Sequence, residues 1–247
     1  MNRTYWEKIA PAYNDEIFDV LDNDKKAIIR SAIKKFSSKN KTVIDIGCAI
    51  GKWLPVLSPA FKKVYAIDIS QRNLDIAKTI HPKLTNVIYQ RVDMSDPKSL
   101  IPKCDFAICI NAILTGTKQK RNIFFKNLQQ CVKKGGRIIL VIPSLESSML
   151  TSIIRQQWDP DKDAKKAINK KKAFSQLQNL LEGNSSIDGV SHKHYLKEEL
   201  ILLLAREGFA VEDAQKIEYN WNTEFLKPPK WLKEPRPWDW MVVAKRS

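Results

Sequence analysis

Between residues 42 and 143 five short apolar runs alternate with segments of helical spacing, and this alternation narrows the fold more than any other feature. The runs are TVIDI, KVYAIDIS (63–70), NVIYQRVD (86–93), CDFAICINAI (104–113) and RIILVIP (137–143). Several are apolar at consecutive positions, so both faces of such a strand must be covered. Helical segments at 51–57, 73–80 and 118–132 can supply that cover, which predicts a parallel sheet between helical layers. After Pro143 the rhythm stops. A polar, lysine-rich stretch at 145–192 reads as an insertion with one or two helices. A helix at 196–207 ends at Gly208, and strands follow at 210–221 and 238–246. No helix separates those two strands, so they should pair antiparallel. The expected class is α/β: a seven-stranded, mostly parallel sheet, helices on both faces, and an antiparallel C-terminal strand pair. Residues 4–36 read as helical, with Pro11 as a break.

A chain of 247 residues has room for one such domain with additions. No apolar run approaches the roughly 20 residues of a membrane span, and the N-terminus lacks the apolar core of a signal peptide. A cytoplasmic protein is expected, with no membrane partner. Cys48, Cys104, Cys109 and Cys131 form no C-x-x-C pair, and His81, His192 and His194 complete no zinc spacing, so no metal is expected. The thiols read as reduced and mostly buried. The net charge of +15 keeps nucleic acid among the candidate partners. The lysines are spread along the chain, however. The densest group, AKKAINKKKAF (164–174), has neither arginine nor the aromatic interleaving of a specific RNA reader.

The loop after the first run, DIGCAIGKW, carries glycines at 47 and 51 but alanine at 49. A dinucleotide loop needs G-x-G-x-x-G to set a pyrophosphate on a helix N-terminus, and that register is missing. Gly47 suits a sharp turn with positive φ and lets a ligand approach the backbone. Gly51 should allow the next helix to pack closely on the sheet. Ala49 argues against a positive φ at its own position. Asp68 lies 68 − 45 = 23 positions after Asp45, close to the interval at which an acid meets ribose hydroxyls in nucleotide-binding α/β folds.

The ordered set of D-I-G-C-A-I-G, a second strand ending in an acid, a third followed by D-M, a fourth ending in asparagine, K-K-G-G and a late antiparallel pair resembles the class I S-adenosylmethionine-dependent methyltransferases. The resemblance covers about residues 40–143 by motif and 192–247 by element order. It implies the class I fold over 1–247 as a single domain, with 1–38 as a helical cover and 145–192 as a helical insertion or lid. It implies S-adenosylmethionine as cofactor and S-adenosylhomocysteine as product. Asp45 would then partner the methionine amino group, and Asp68 the ribose. Asp93 would accept from the adenine amine, with Met94 against the ring. Asn111 and Ala112 would lie beneath the sulfonium and the amino-acid part. Gly47, Cys48, Ala49, Gly51, Trp53 and Ile69 complete the expected cofactor set, with Trp6 and Tyr13 from the cover, where Tyr5 is a further candidate. A bulky residue at Gly47 should abolish cofactor binding while the fold survives.

Methyl transfer from a sulfonium is an in-line displacement, in which the protein mainly supplies position and desolvation. The acceptor should meet the C-terminal edge of strands four and five. Ile113, Leu114, Ser144, His194, Tyr195, Trp221 and Trp238 are the substrate candidates, and His192, His194 and Tyr195 the candidate bases. Four of the seven tryptophans fall within 221–240, where an aromatic box could hold a cation or a flat ring. A small-molecule acceptor is expected. The alternatives are an RNA or protein side-chain acceptor, or a non-catalytic cofactor-binding scaffold.

Overall fold

The computed structural model describes residues 3–13, 19–158, 179, 181–187 and 190–247. Five parallel strands are built from the five apolar runs: β1 (Thr42–Ile46), β2 (Lys63–Asp68), β3 (Val87–Arg91), β4 (Cys104–Ile110) and β5 (Val132–Pro143). A hairpin of β6 (Asn184–Ile187) and β7 (Val190–Lys193) stands apart from them. The late strands β8 (Phe209–Glu218) and β9 (Trp238–Arg246) complete a seven-stranded sheet in the order β3-β2-β1-β4-β5-β9-β8. As expected, β9 runs antiparallel to β8, and it also runs antiparallel to β5.

Residues alternate across the sheet, and each face packs its own core. On one face Val43, Val64, Phe106, Ile108 and Ile139 pack against Ile29, Ile33, Leu54, Leu57 and Leu74. These come from α3 (Ile28–Phe36), α4 (Leu54–Leu57) and α5 (Gln71–Ile80), which follow α1 (Arg3–Ile9) and α2 (Val20–Asn23). On the other face Ile44, Ile46, Ala107, Cys109 and Leu140 meet Phe124, Phe125 and Leu128 of α6 (Lys118–Cys131). Leu200 and Leu204 of the final helix extend that layer. At about 2 kcal/mol for each fully buried aliphatic side chain, these two layers hold the sheet between them. All four cysteines are free and buried.

Three local expectations change. The helix expected from residue 23 begins at Ile28, because buried Asp24 accepts from the Ile28, Ile29 and Arg30 amides at 2.6, 3.3 and 3.2 Å and so caps the first turn. K-K-G-G is not a turn before β5 but part of it. There Gly135 takes φ +75°, a Cβ on Gly136 would lie 2.7 Å from the Asp105 carbonyl oxygen, and the register slips between Cys104 and Phe106. Among the described residues of 145–192, which the sequence reads as helical, the structure has the helix α7 (Leu145–Trp158) and also the β6–β7 hairpin, which the sequence reading lacks. The lysine-rich segment 164–174 lies outside the described residues. The last helix, α8, spans Lys197–Arg206.

Candidate functional site

The strand order places β4 on one side of β1 and β2 with β3 on the other, so the chain reverses direction of winding beside β1. A crevice at the C-terminal ends of the strands follows from that reversal. A cleft opens there. Its walls are the residues that end or follow four strands: Gly47 and Ala49, then Asp68 and Ile69, then Asp93 and Met94, then Asn111 and Ala112. Trp6 and Tyr13 close it from the N-terminal segment.

The glycine loop is tighter than its sequence suggests. Gly47 has φ +71°, and a Cβ there would lie 2.5 Å from that of Ala112. Ala49 also has a positive φ, +48°, against expectation. An alanine in this region costs about 1 kcal/mol. Its amide donates to Asp68 Oδ2 at 2.9 Å, a charge-assisted bond that offsets the strain. Gly51, at φ +82°, makes its close approach to Leu54, Ala77 and His81 rather than to the sheet, so it serves the seating of α5 against α4.

The carboxylates are held unequally. Asp68 Oδ1 accepts from the Ser70 amide at 2.8 Å and from Asn73 at 3.4 Å, so the ribose candidate also braces the loop and the start of α5. Burial pushes its carboxyl up, although the Ser70 and Ala49 amides oppose this. Asp93 accepts from the Ser95 amide at 2.7 Å, and Asn127 of α6 donates to the carbonyls of Met94 and Asp96 at 3.0 and 2.9 Å. Asp45 is different. It sits mid-sheet opposite Ala66 and Ile108, 3% exposed, and its Oδ2 is buried with no partner. Burial, and then the Asp68 charge, push its carboxyl up to about 7. Asn111, at φ +48°, likewise leaves Oδ1 buried without a partner. Among the described residues no lysine, arginine or histidine lines the cleft, although the chain carries a net charge of +15. Such walls suit a cation with hydrogen-bond donors and offer no cradle for a phosphate.

The N-terminal segment is fastened at two points. Glu7 accepts from the Gln71 and Arg72 amides at 3.0 and 3.1 Å and from Ser70 Oγ at 3.1 Å, which puts a carboxylate on the N-terminus of α5. Burial opposes ionisation there, but the Arg72 and Gln71 amides outweigh it and hold the carboxyl below its ordinary value. Lys52, from the glycine loop, pairs with Asp19 and lies 5.9 Å from the Tyr13 ring centre. Glu7 is thus a latch for the helix that carries Trp6. Replacing it with alanine should weaken cofactor binding about fivefold, the equivalent of one lost cap. A faster off-rate in stopped-flow Trp fluorescence checks this, and an unchanged off-rate refutes it.

A family model described as a methyltransferase domain matches residues 21–214. The chain belongs to the methyltransferase-domain family. No curated protein sequence matches it. Among solved structures, a methyltransferase from Anabaena variabilis is similar at 14% identity and a TM-score of 0.64, over 99% of this chain and 95% of that one. The DhpI–SAH complex is similar at 14% identity and 0.63, over 100% and 95%. Magnesium protoporphyrin IX methyltransferase from Synechocystis, with SAH bound, is similar at 14% and 0.58, over 99% and 98%. At these identities the likeness establishes the class I methyltransferase fold.

The structure gathers Trp6, Tyr13, Gly47, Ala49, Asp68, Ile69, Asp93, Met94, Asn111 and Leu114 of the methyltransferase around the cleft. Other expected site residues stand elsewhere. Cys48 and Trp53 are buried in the core beneath β1, and Ile113 in the opposite layer. Ser144 caps α7, accepting from the Ser147 amide at 3.0 Å and donating to Glu146 at 2.9 Å. His192 lies on β7 and pairs with Thr115 in an antiparallel bridge. His194 follows that strand, buried, its imidazole pushed down to about 4 by burial. Tyr195 is packed edge-on against Phe125 in the core. None of the three lines the cleft. Trp221 stacks on Phe225 beside Ile154 and Leu232, and Trp238 lies edge-to-face with Trp240, so the tryptophans pack a loop against the sheet. Among the lining residues, Asn73, Ser95, Thr115 and Phe124 had no signal in the sequence beyond their place after a strand or in a helix. No helix among the described residues is long and apolar enough to cross a membrane.

Proposed function

We propose that the chain binds S-adenosylmethionine in this cleft and transfers its methyl group, by in-line displacement, to a small-molecule acceptor. The observation that carries the reading is the unpartnered oxygen of Asp45, buried behind a cleft with no basic side chain among its described lining residues. A buried acceptor without a donor costs about 1–3 kcal/mol, and an ammonium would remove that cost. When bound, the cofactor supplies an electrophilic methyl group on a sulfonium. Asp45 and Asn111 would hold its amino-acid end, Asp68 the ribose, and Asp93 with Met94 the adenine. Gly47 leaves room for close approach, and Trp6 and Tyr13 exclude water. A neutral nitrogen or sulfur acceptor needs no base in this scheme, which agrees with His192, His194 and Tyr195 standing away from the cleft.

The described lining carries no basic side chain to meet RNA phosphates, which supports a small-molecule acceptor. In this reading 1–38 is the cover and 145–192 an insertion or lid between β5 and the last helix. Calorimetry tests the cofactor: micromolar binding of S-adenosylmethionine and S-adenosylhomocysteine is expected, without binding of NADH. No heat with either methyl compound would sink the reading. Turnover of labelled methyl donor with a small-molecule cell extract, set against total RNA, tests the acceptor class.

A further inference from the structure

We propose that Asp239, held by Tyr219, is a positioning residue for the cofactor's ammonium end and acts through Asn111. The inference rests on the methyltransferase reading above. Asp239 belongs to β9, on the far side of β5 from β4, and it is 9% exposed. Its Oδ2 accepts two hydrogen bonds, from Asn111 Nδ2 at 2.8 Å and from the Tyr219 hydroxyl at 2.7 Å. The first bond fixes the Asn111 amide: with its nitrogen engaged by Asp239, the oxygen is the end left over, and that oxygen is buried and unpartnered in a residue lining the cleft. Asn111 can therefore only accept from a ligand.

The sheet order says which end of the cofactor it meets. Asp68 ends β2, and Asp93 and Met94 follow β3, on one side of β1, while Asn111 follows β4 on the other. The adenosine side and the Asn111 side are thus separated by the glycine loop. Its Gly47 backbone lies so close to Ala112 that no Cβ fits between them. Asp45 offers a second unpartnered acceptor on β1. An ammonium has three donors, enough for both oxygens, and no donor among the described residues serves either. Without Asp239 the amide is free to turn its nitrogen toward the cation.

The test compares two probes by calorimetry: S-adenosylhomocysteine, and 5′-methylthioadenosine, which lacks the amino-acid end. Asp239→Ser and Asp239→Ala should each weaken the first about tenfold and the second by less than twofold. Asp239→Asn, whose amide oxygen can accept both bonds, should stay within threefold of the parent for both probes. Asn111→Gly, which keeps the backbone conformation, should show the same split, and adding Asp239→Ser to it should cause no further loss. Equal weakening of both probes, unchanged homocysteine binding, or failure of Asp239→Asn to rescue would each overturn the proposal. A parent protein that binds neither probe would instead overturn the cofactor reading on which it rests.

Discussion

Asp45→Asn is expected to lower the affinity for S-adenosylmethionine about a hundredfold while raising the melting temperature of the free protein at pH 8 by about 5 °C. Both effects have one cause. Asp45 is buried mid-sheet, its Oδ2 has no partner, and burial together with the Asp68 charge pushes its carboxyl from an ordinary 3.8 up to about 7. The folded chain therefore keeps a proton that the unfolded chain has released. The stability this proton confers is full below the unfolded value and is lost as pH rises through about 7. At pH 8 the free protein carries a buried charge that asparagine would remove. The ligand's ammonium reverses the preference, because it favours the ionised form. Affinity in the parent should rise with pH by up to tenfold per unit between about 5.5 and 7, then level off, and the variant should lose that slope. Thermal melts and calorimetry across pH 5.5–8 decide the matter. A variant that binds as the parent does, or a melting temperature that falls at pH 8, would remove Asp45 from the site.

The second large effect is at Gly47. Gly47→Ala puts a Cβ 2.5 Å from that of Ala112 on a backbone with φ +71°. Neither neighbour can yield without moving β1 or β4, so a loss of about 3 kcal/mol of stability is expected. The structure thus adds a fold penalty to the loss of binding expected from the sequence. Ala112→Gly should relieve the clash but not the backbone strain, leaving the double variant about 1 kcal/mol below the parent. That double variant separates the two roles of the glycine. If Gly47 faces the cofactor, its binding stays weak after stability has returned. Recovery of both together would show that the glycine serves packing alone.

Much of the fold was legible because its signals are local. Strands buried on both faces must be apolar along their length, and TVIDI and CDFAICI declare that in five to seven residues. Ser70 reads only as the end of the run 63–70, yet it caps α5 where Glu7, 63 residues earlier in the chain, fastens the N-terminal segment. The same limit applies to Ala49. Its positive φ is tolerable only because Asp68, 19 positions on, receives its amide. Read alone, the tryptophan-rich tail and the S-H-K-H-Y run looked like acceptor chemistry. Packing turned the first into a clamp on a loop and buried the second between a hairpin and the core.

The sequence by itself determined the order of the seven sheet strands along the chain, the glycine turn after β1 and the acids at the strand ends, since each depends on residues close together in the chain. Only the tertiary structure decided which polar atoms remain without a partner. Asn111 is turned by Asp239 across 128 positions, and Asp45 is isolated by strands on both sides of it. A hydrogen bond is satisfied in space, and the residues that leave the Asp45 and Asn111 oxygens unpartnered are distant from them in the chain.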